Sequence, residues 1–535
     1  MMNFKKAVTR VVRSRNFSPS VMTAIIVAAV IFANAFIYML YVYTRPSVTV
    51  AEKEDLSISD AVKEDFDKAF SDGKRMTITF CMSEADIQNH SEGKFVRETV
   101  LNYANKYSDF ITVRYANIFT LEYDDASGEK FNPAKYQKIV RKDESGETLK
   151  DESGNPIYDE YRISRSSVIF ECNTYPNGDL SQQPTRSNVK VVTGSSAFID
   201  FFTLDANSYV SSYNGEEVFA AMAFWVINNR HDTVYFTTGH GEVPSTNFYY
   251  SLLYGGYYIE EINLRKESVP QDAAFVIISN PKTDFEKAAN DEYDSELKRL
   301  KEYTDRGGAF YVILDPFAKK LPRLEEFVHE EFGISVKTND DGERLLVKDL
   351  NQSVNTQGFT GFTLLADFAD NSAAQNIKDK IDEYGGSVII NDAAALDCDE
   401  SLGARPLLVS SPSATLIAGG VSEDDDGPHA VIACSEKKVN FDRTAKMVFV
   451  SSIYLAANDA MVSNNYANKD FLYALYDEFY NGPDMPYGID CVEMQEERLE
   501  NLTLGSSILY TCMLLAIPVA LAAVGTVTII RRKNR

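Results

Sequence analysis

Gly239-His240-Gly241-Glu242 is the segment whose residue types and spacing come nearest to chemistry. A histidine and a glutamate two positions apart can serve as acid and base. The flanking glycines allow tight backbone paths, and free amides at the start of a following helix can hold an anion. The same four residues also suit a structural turn in which His240 and Glu242 bond to backbone, so a ligand or interaction turn and a structural one both stay open. Nucleophilic chemistry needs more: a nucleophile, a base and a group that orients the base. No GxSxG elbow occurs, and His90, His231, His240, His329 and His429 are widely dispersed. His329-Glu330 does not begin an HExxH motif, because Gly333 stands where the second histidine is needed. The acidic run from Glu423 to His429 fits no EF-hand spacing and reads as an acidic loop. No GxxxxGK[ST] loop is present, so the chain is not itself an ATPase. These residues assign no catalytic group, no metal ligand and no cofactor.

The elements that must position this segment are legible around it. Residues 233–238 read as a buried strand, the motif follows directly, and a short helix over 247–254 stops at Gly255-Gly256. Strands over 257–264, 273–281 and 309–316 alternate with helices over 293–305 and 321–334. Continuous apolar strands alternating with helices predict a doubly wound parallel sheet, and in such sheets ligands lie beyond the carboxyl ends of the strands. Further strands over 386–392, 405–411, 429–436 and 446–452, and an amphipathic helix over 468–480, extend this second unit to residues 231–490.

A first unit, 56–228, precedes it. A helix over 57–70, a strand over 75–82, a helix over 94–107 and a strand over 109–118 imply parallel pairing with a helix across the sheet. Strands over 166–172 and 197–204 complete an α/β unit of thioredoxin-like outline that lacks a redox CxxC. The polar insertion 124–159 carries KDESG twice, at 142–146 and 150–154, and reads as a decorative loop with two turns. Six scattered cysteines make no disulfide framework.

Charge and hydropathy divide the chain further. The net charge is −25. Residues 1–20 carry Lys5, Lys6, Arg10, Arg13 and Arg15 with no acid, and 531–535 are equally free of acid, so the middle is more negative than the whole. Such a surface repels nucleic acid. No charge occurs between Arg15 and Arg45 or between Glu500 and Arg531. Apolar stretches of this length span roughly 30 Å of hydrocarbon, which predicts transmembrane helices over 21–43 and 507–530. The basic flanks predict cytoplasmic tails 1–20 and 531–535 and an extracytoplasmic acidic domain. A lipid bilayer is thus one expected partner.

Several segments taken together resemble the gliding-motility-type (Gld G-component-like) auxiliary proteins of ABC transport systems. They are 213–227 (YNGEEVFAAMAFWVI), 234–242 (VYFTTGHGE), 273–281 (AAFVIISNP), 297–316 (LKRLKEYTDRGGAFYVILDP) and 405–414 (RPLLVSSPSA). The resemblance implies a non-catalytic, membrane-anchored accessory or scaffold subunit whose permease and ATPase are separate chains. The second unit also resembles the class I amidotransferase-like fold, without its Cys-His pair. The competing readings are a cell-surface hydrolase or amidotransferase-like enzyme using His240 and Glu242, and an envelope ligand-binding sensor.

Overall fold

The computed structural model describes residues 56, 58 and 62–494 apart from 143–145, 151–152, 194–197, 205–209, 229–231, 288–294, 355–359, 383–384, 481 and 483–486, together with residue 531. Among these, no helix is long and apolar enough to cross a membrane. The longest, Gly93–Lys106 and Gly215–Asn228, have 14 residues each, short of the ~20 that a span requires. The expectation of a two-span protein with a bilayer as partner is corrected on this finding. The segments 21–43 and 507–530 lie outside the described residues, as do the tails 1–20 and 532–535.

The described residues between 56 and 494 belong to one compact unit built on two large sheets, with smaller two- and three-stranded ones beside them. Helix α1 (Lys63–Ser71) and strand β1 (Lys74–Phe80) open it, followed by α2 (Gly93–Lys106), β2 (Ile111–Asn117) and the short β3 (Glu122–Tyr123). The α2 stripe of Val96, Val100 and Tyr103 is buried, spaced to lie on one helix face. β1 and β2 pair in parallel, as the intervening helix requires. The insertion holds a small ladder, β4 (Lys138–Val140) against β5 (Tyr158–Glu160). β6 (Val168–Thr174) and β7 (Arg186–Val192) then complete a sheet ordered β3-β2-β1-β6-β7. The expected strand over 197–204 is instead a 3-10 turn, Ile199–Phe201, and a short β8 (Phe202–Leu204) paired with β9 (Val210–Tyr213).

Helix α3 (Gly215–Asn228) joins the two sheets and is buried on every side from Glu217 to Ile227. It has no polar face because Val218, Phe219, Met222, Phe224, Trp225 and Val226 all find apolar neighbours.

The large sheet begins with β10 (Thr233–Thr237), α4 (Thr246–Tyr254), β11 (Tyr258–Ile262) and β12 (Ala273–Ser279). Next come α5 (Glu296–Asp305), β13 (Ala309–Ile313) and α6 (Pro322–Phe332). β14 (Thr363–Phe368), α7 (Ser372–Ile381), β15 (Val388–Asn391), β16 (Ala404–Val409), β17 (Ala430–Lys438), β18 (Thr444–Val450) and α8 (Asn468–Tyr480) follow. Its main path runs β11-β10-β12-β13-β18-β17-β16-β14-β15. The first five are parallel; β17, β16, β14 and β15 pair antiparallel. The sheet is therefore mixed rather than parallel throughout. The reason is local: β17 and β18 are joined by residues 439–443, and a link that short permits only a hairpin. The acidic run expected as a loop is also structured in part, because Val421–Asp426 is a strand against Thr415–Ala418.

The insertion is not merely decorative at its base. Asp159, 8 % exposed, accepts from Arg141 Nε at 2.7 Å and from the Tyr258 hydroxyl of β11 at 3.0 Å. The Arg141 guanidinium also lies 3.9 Å from the Tyr258 ring centroid. Buried Lys190 of β7 sits over Trp225 at 4.3 Å, and burial pushes its ammonium down to about 8 despite the attraction of Asp159.

Candidate functional site

β10 is the strand at which the order reverses: its sequence successors lie on opposite sides, β11 on one and β12 on the other. The crevice beyond such a point is where open α/β sheets usually receive ligands. Gly239-His240-Gly241-Glu242 enters this place directly after β10. Gly239 and Gly241 take φ of +113° and +77°, values that a side chain would strain. This sharp path turns the His240 side chain inward, where it is fully buried.

Every polar group of His240 is then taken. Its backbone N–H donates to Glu242 Oε2 at 2.7 Å. Its carbonyl accepts from the amides of Lys282 at 2.7 Å and Thr283 at 3.1 Å, just beyond β12. Nδ1 lies 3.0 Å from Glu242 Oε1, and Nε2 lies 3.0 Å from Glu296 Oε2. The ring stacks on Phe285 at 4.0 Å and 15°. With a carboxyl oxygen at each nitrogen, the pocket favours the form in which both nitrogens donate, the imidazolium. Burial alone would lower the histidine's pKa, but the hydrogen bonds from Glu242 and Glu296 outweigh it and raise it. Burial would likewise raise Glu242, and its bonds to His240 hold it below the ordinary glutamate value instead.

Glu296 is the first residue of α5, placed there by Ser295, whose hydroxyl caps the helix by accepting from the Lys298 amide. It is 1 % exposed. Its Oε2 also accepts from the Glu286 amide at 2.8 Å, and Arg265 Nε approaches Oε1 at 3.4 Å. The motif is thus joined by Glu296 and Phe285, with Arg265 reaching it through Glu296. Only a helix-start acid marked Glu296 in sequence, with nothing to connect it to a histidine 56 positions earlier.

The chemical consequence is that His240 and Glu242 are bonded to each other and sealed from solvent. A substrate atom cannot approach either ring nitrogen without displacing a carboxylate. The motif works here as a clamp binding the ends of β10 and β12 to the start of α5.

Open space lies beside the clamp. A cleft of about 280 Å³ runs from Val243 and Ser245 to Asn280, Ile313, Val450 and Ser452, beyond the carboxyl ends of β10, β12, β13 and β18. A larger cleft, about 630 Å³, lies between β8, α4 and α8. At its wall, Glu217 of α3 accepts from the Tyr473 hydroxyl at 2.6 Å and pairs with Lys469 Nζ at 3.4 Å.

The remaining candidate groups are scattered. His90 pairs with Glu92, His329 lies in the last turn of α6, His429 is buried, and His231 lies outside the described residues. Burial pushes the thiols of Cys81, Cys172, Cys398 and Cys434 up to about 12 and that of Cys491 upward, so none is held as a thiolate nucleophile. Among the described residues no three His, Cys, Asp or Glu side chains are grouped to hold a metal ion.

No protein-family model matches the chain, and no curated protein matches it. Among solved structures it is similar to the mmIFT52 N-terminal domain, with 15% identity, TM-score 0.33, and coverage of 46% of this chain and 97% of that one. It is also similar to a thuA-like protein from Bacteroides uniformis, with 12% identity, TM-score 0.28, and coverage of 48% and 94%. A third similarity is to PurLQS from Thermotoga maritima, with 10% identity, TM-score 0.22, and coverage of 45% and 97%. Each likeness spans under half of this chain, and its mixed α/β architecture rests on its own strand pairing.

Proposed function

We propose that this chain is a non-catalytic accessory or scaffold subunit of an ABC-type transport system of the gliding-motility-related kind, working beside a permease and a separate ATPase chain. The observation that carries the non-catalytic part is the sealed Glu242–His240–Glu296 clamp: the motif best suited to acid–base chemistry spends its histidine on holding strands and a helix together. The transport part rests on the sequence resemblance through residues 213–227, 234–242, 273–281, 297–316 and 405–414. The finer fold reading that accompanies it is a first module of thioredoxin-like outline followed by an amidotransferase-like module.

The test is affinity capture of the full-length tagged chain from a gentle detergent extract, with mass spectrometry of what comes along. Stoichiometric recovery of one permease and one ATPase is expected. Recovery of the chain without either would sink the proposal. A substrate screen in which turnover disappears in His240→Ala, while folding is kept, would instead favour an enzyme using the turn.

A further inference from the structure

We propose that the 630 Å³ cleft between β8, α4 and α8 is a binding site for a small organic cation, an ammonium or guanidinium group carried on an apolar framework. The volume is that of small-molecule sites, which run to about 300–1,000 Å³. Aromatic rings form much of the wall: Tyr250 and Tyr454 remain 36 % and 40 % exposed, and Tyr473 is buried behind them. Ring faces attract cations, most strongly where water is partly excluded.

The charges in the wall decide the sign of the ligand. Glu217 is already committed to Tyr473 and Lys469. Lys469 is committed in turn, donating also to the Ile489 carbonyl at 2.6 Å. Its charge is thus matched within the wall by Glu217. Asp200 differs: no ion pair or side-chain hydrogen bond of its carboxyl with another described residue accompanies its burial, and burial alone pushes that carboxyl upward. With Glu217 and Lys469 cancelling, the cleft keeps beside its aromatic rings one carboxyl, that of Asp200, with no counter-charge among the described residues. A bound ammonium group would supply that counter-charge and donate to the Asp200 carboxyl. The net charge of −25 adds a field that gathers cations at the surface. This inference does not depend on the transport reading.

The experiment is isothermal titration of the full-length chain with benzylammonium and, as a matched uncharged probe, benzyl alcohol, both at moderate salt; maltose serves as a neutral polyol. Benzylammonium is expected to bind with a Kd below about 1 mM, with benzyl alcohol and maltose at least about tenfold weaker. Asp200→Asn, which keeps the shape, is expected to weaken the cation about tenfold, and Tyr454→Ala about fivefold. Urea midpoints of both variants check that they are folded. If Asp200→Asn fails that check, Tyr454→Ala alone decides, since its ring is at the rim. The proposal is overturned if benzylammonium does not bind, if a neutral probe binds as tightly, or if binding is unchanged in the folded variants.

Discussion

Replacing His240 by alanine removes the cation from between two buried carboxyl groups, which are 4 % and 1 % exposed at their side chains. Breaking a buried ion pair by deleting one partner costs about 3–5 kcal/mol. Counting instead two hydrogen bonds to charged groups at about 1.5–3 kcal/mol each gives a similar range. The expected loss is therefore about 4 kcal/mol, against a total stability of about 5–15 kcal/mol for a folded domain. The pH dependence fixes the signature. His240 is raised, so its contribution is complete below the ordinary histidine value near 6.5 and fades as pH rises through its folded value. Glu242 is lowered, so its contribution is complete above the ordinary glutamate value near 4.5 and fades as pH falls through its folded value. The gap between the parent protein and His240→Ala should be widest between pH ~4.5 and ~6.5. Urea unfolding of the full-length chain, followed by circular dichroism at pH 4, 5.5 and 8.5, measures it. Removing all three charges together, as His240→Gln with Glu242→Gln and Glu296→Gln, should recover much of the loss, because no charge is then buried alone. A His240→Ala protein within about 1 kcal/mol of the parent at pH 5.5 would refute the clamp.

The clamp's backbone makes its own demand: Gly241→Ala, at φ +77° with only ordinary contact to Lys282, should lower stability by about 1–2 kcal/mol in the same urea assay. Arg141→Ala should free the base of the insertion from Asp159 and Tyr258, seen as faster proteolytic cleavage between residues 138 and 160; Lys130→Ala, which removes only a surface pair with Glu122, should leave that rate unchanged. Iodoacetamide at pH 8 should leave Cys81, Cys172, Cys398 and Cys434 largely unmodified in the native chain and modify all four in urea, with peptide mass spectrometry as the readout.

Much of the architecture could be read from local pattern. The bounds of α8, Asn468–Tyr480, coincide with the apolar period of the sequence, and the unbroken apolar runs of β12 and β13 announced their parallel, two-sided burial. α7 escaped notice because its buried stripe is Ala373, Ala374, Ile377 and Ile381, and small alanines between charged residues give a weak period. β7 escaped for a different reason: Asn188 and Lys190 are buried where alternation would place solvent-facing side chains, so the strand does not look like one. At the site, the Gly–His–Gly–Glu turn and its place after β10 were legible, since glycine spacing and an apolar strand are local signals. Its closure was not. Glu296, Phe285 and Arg265 reach His240 only through folding, and nothing in the order of residues says which carboxylate a buried histidine will meet. The antiparallel half of the sheet was readable in principle from the brief link between β17 and β18.

Helix α3 carries one more implication. A rod greasy on every side has no surface along which the molecule can be parted. A cut at residues 229–231 would leave either fragment displaying a strip of Phe219, Phe224 and Trp225 or the hollow that received it. Expressed halves should clump rather than fold, and heating the intact protein should melt both sheets in one step.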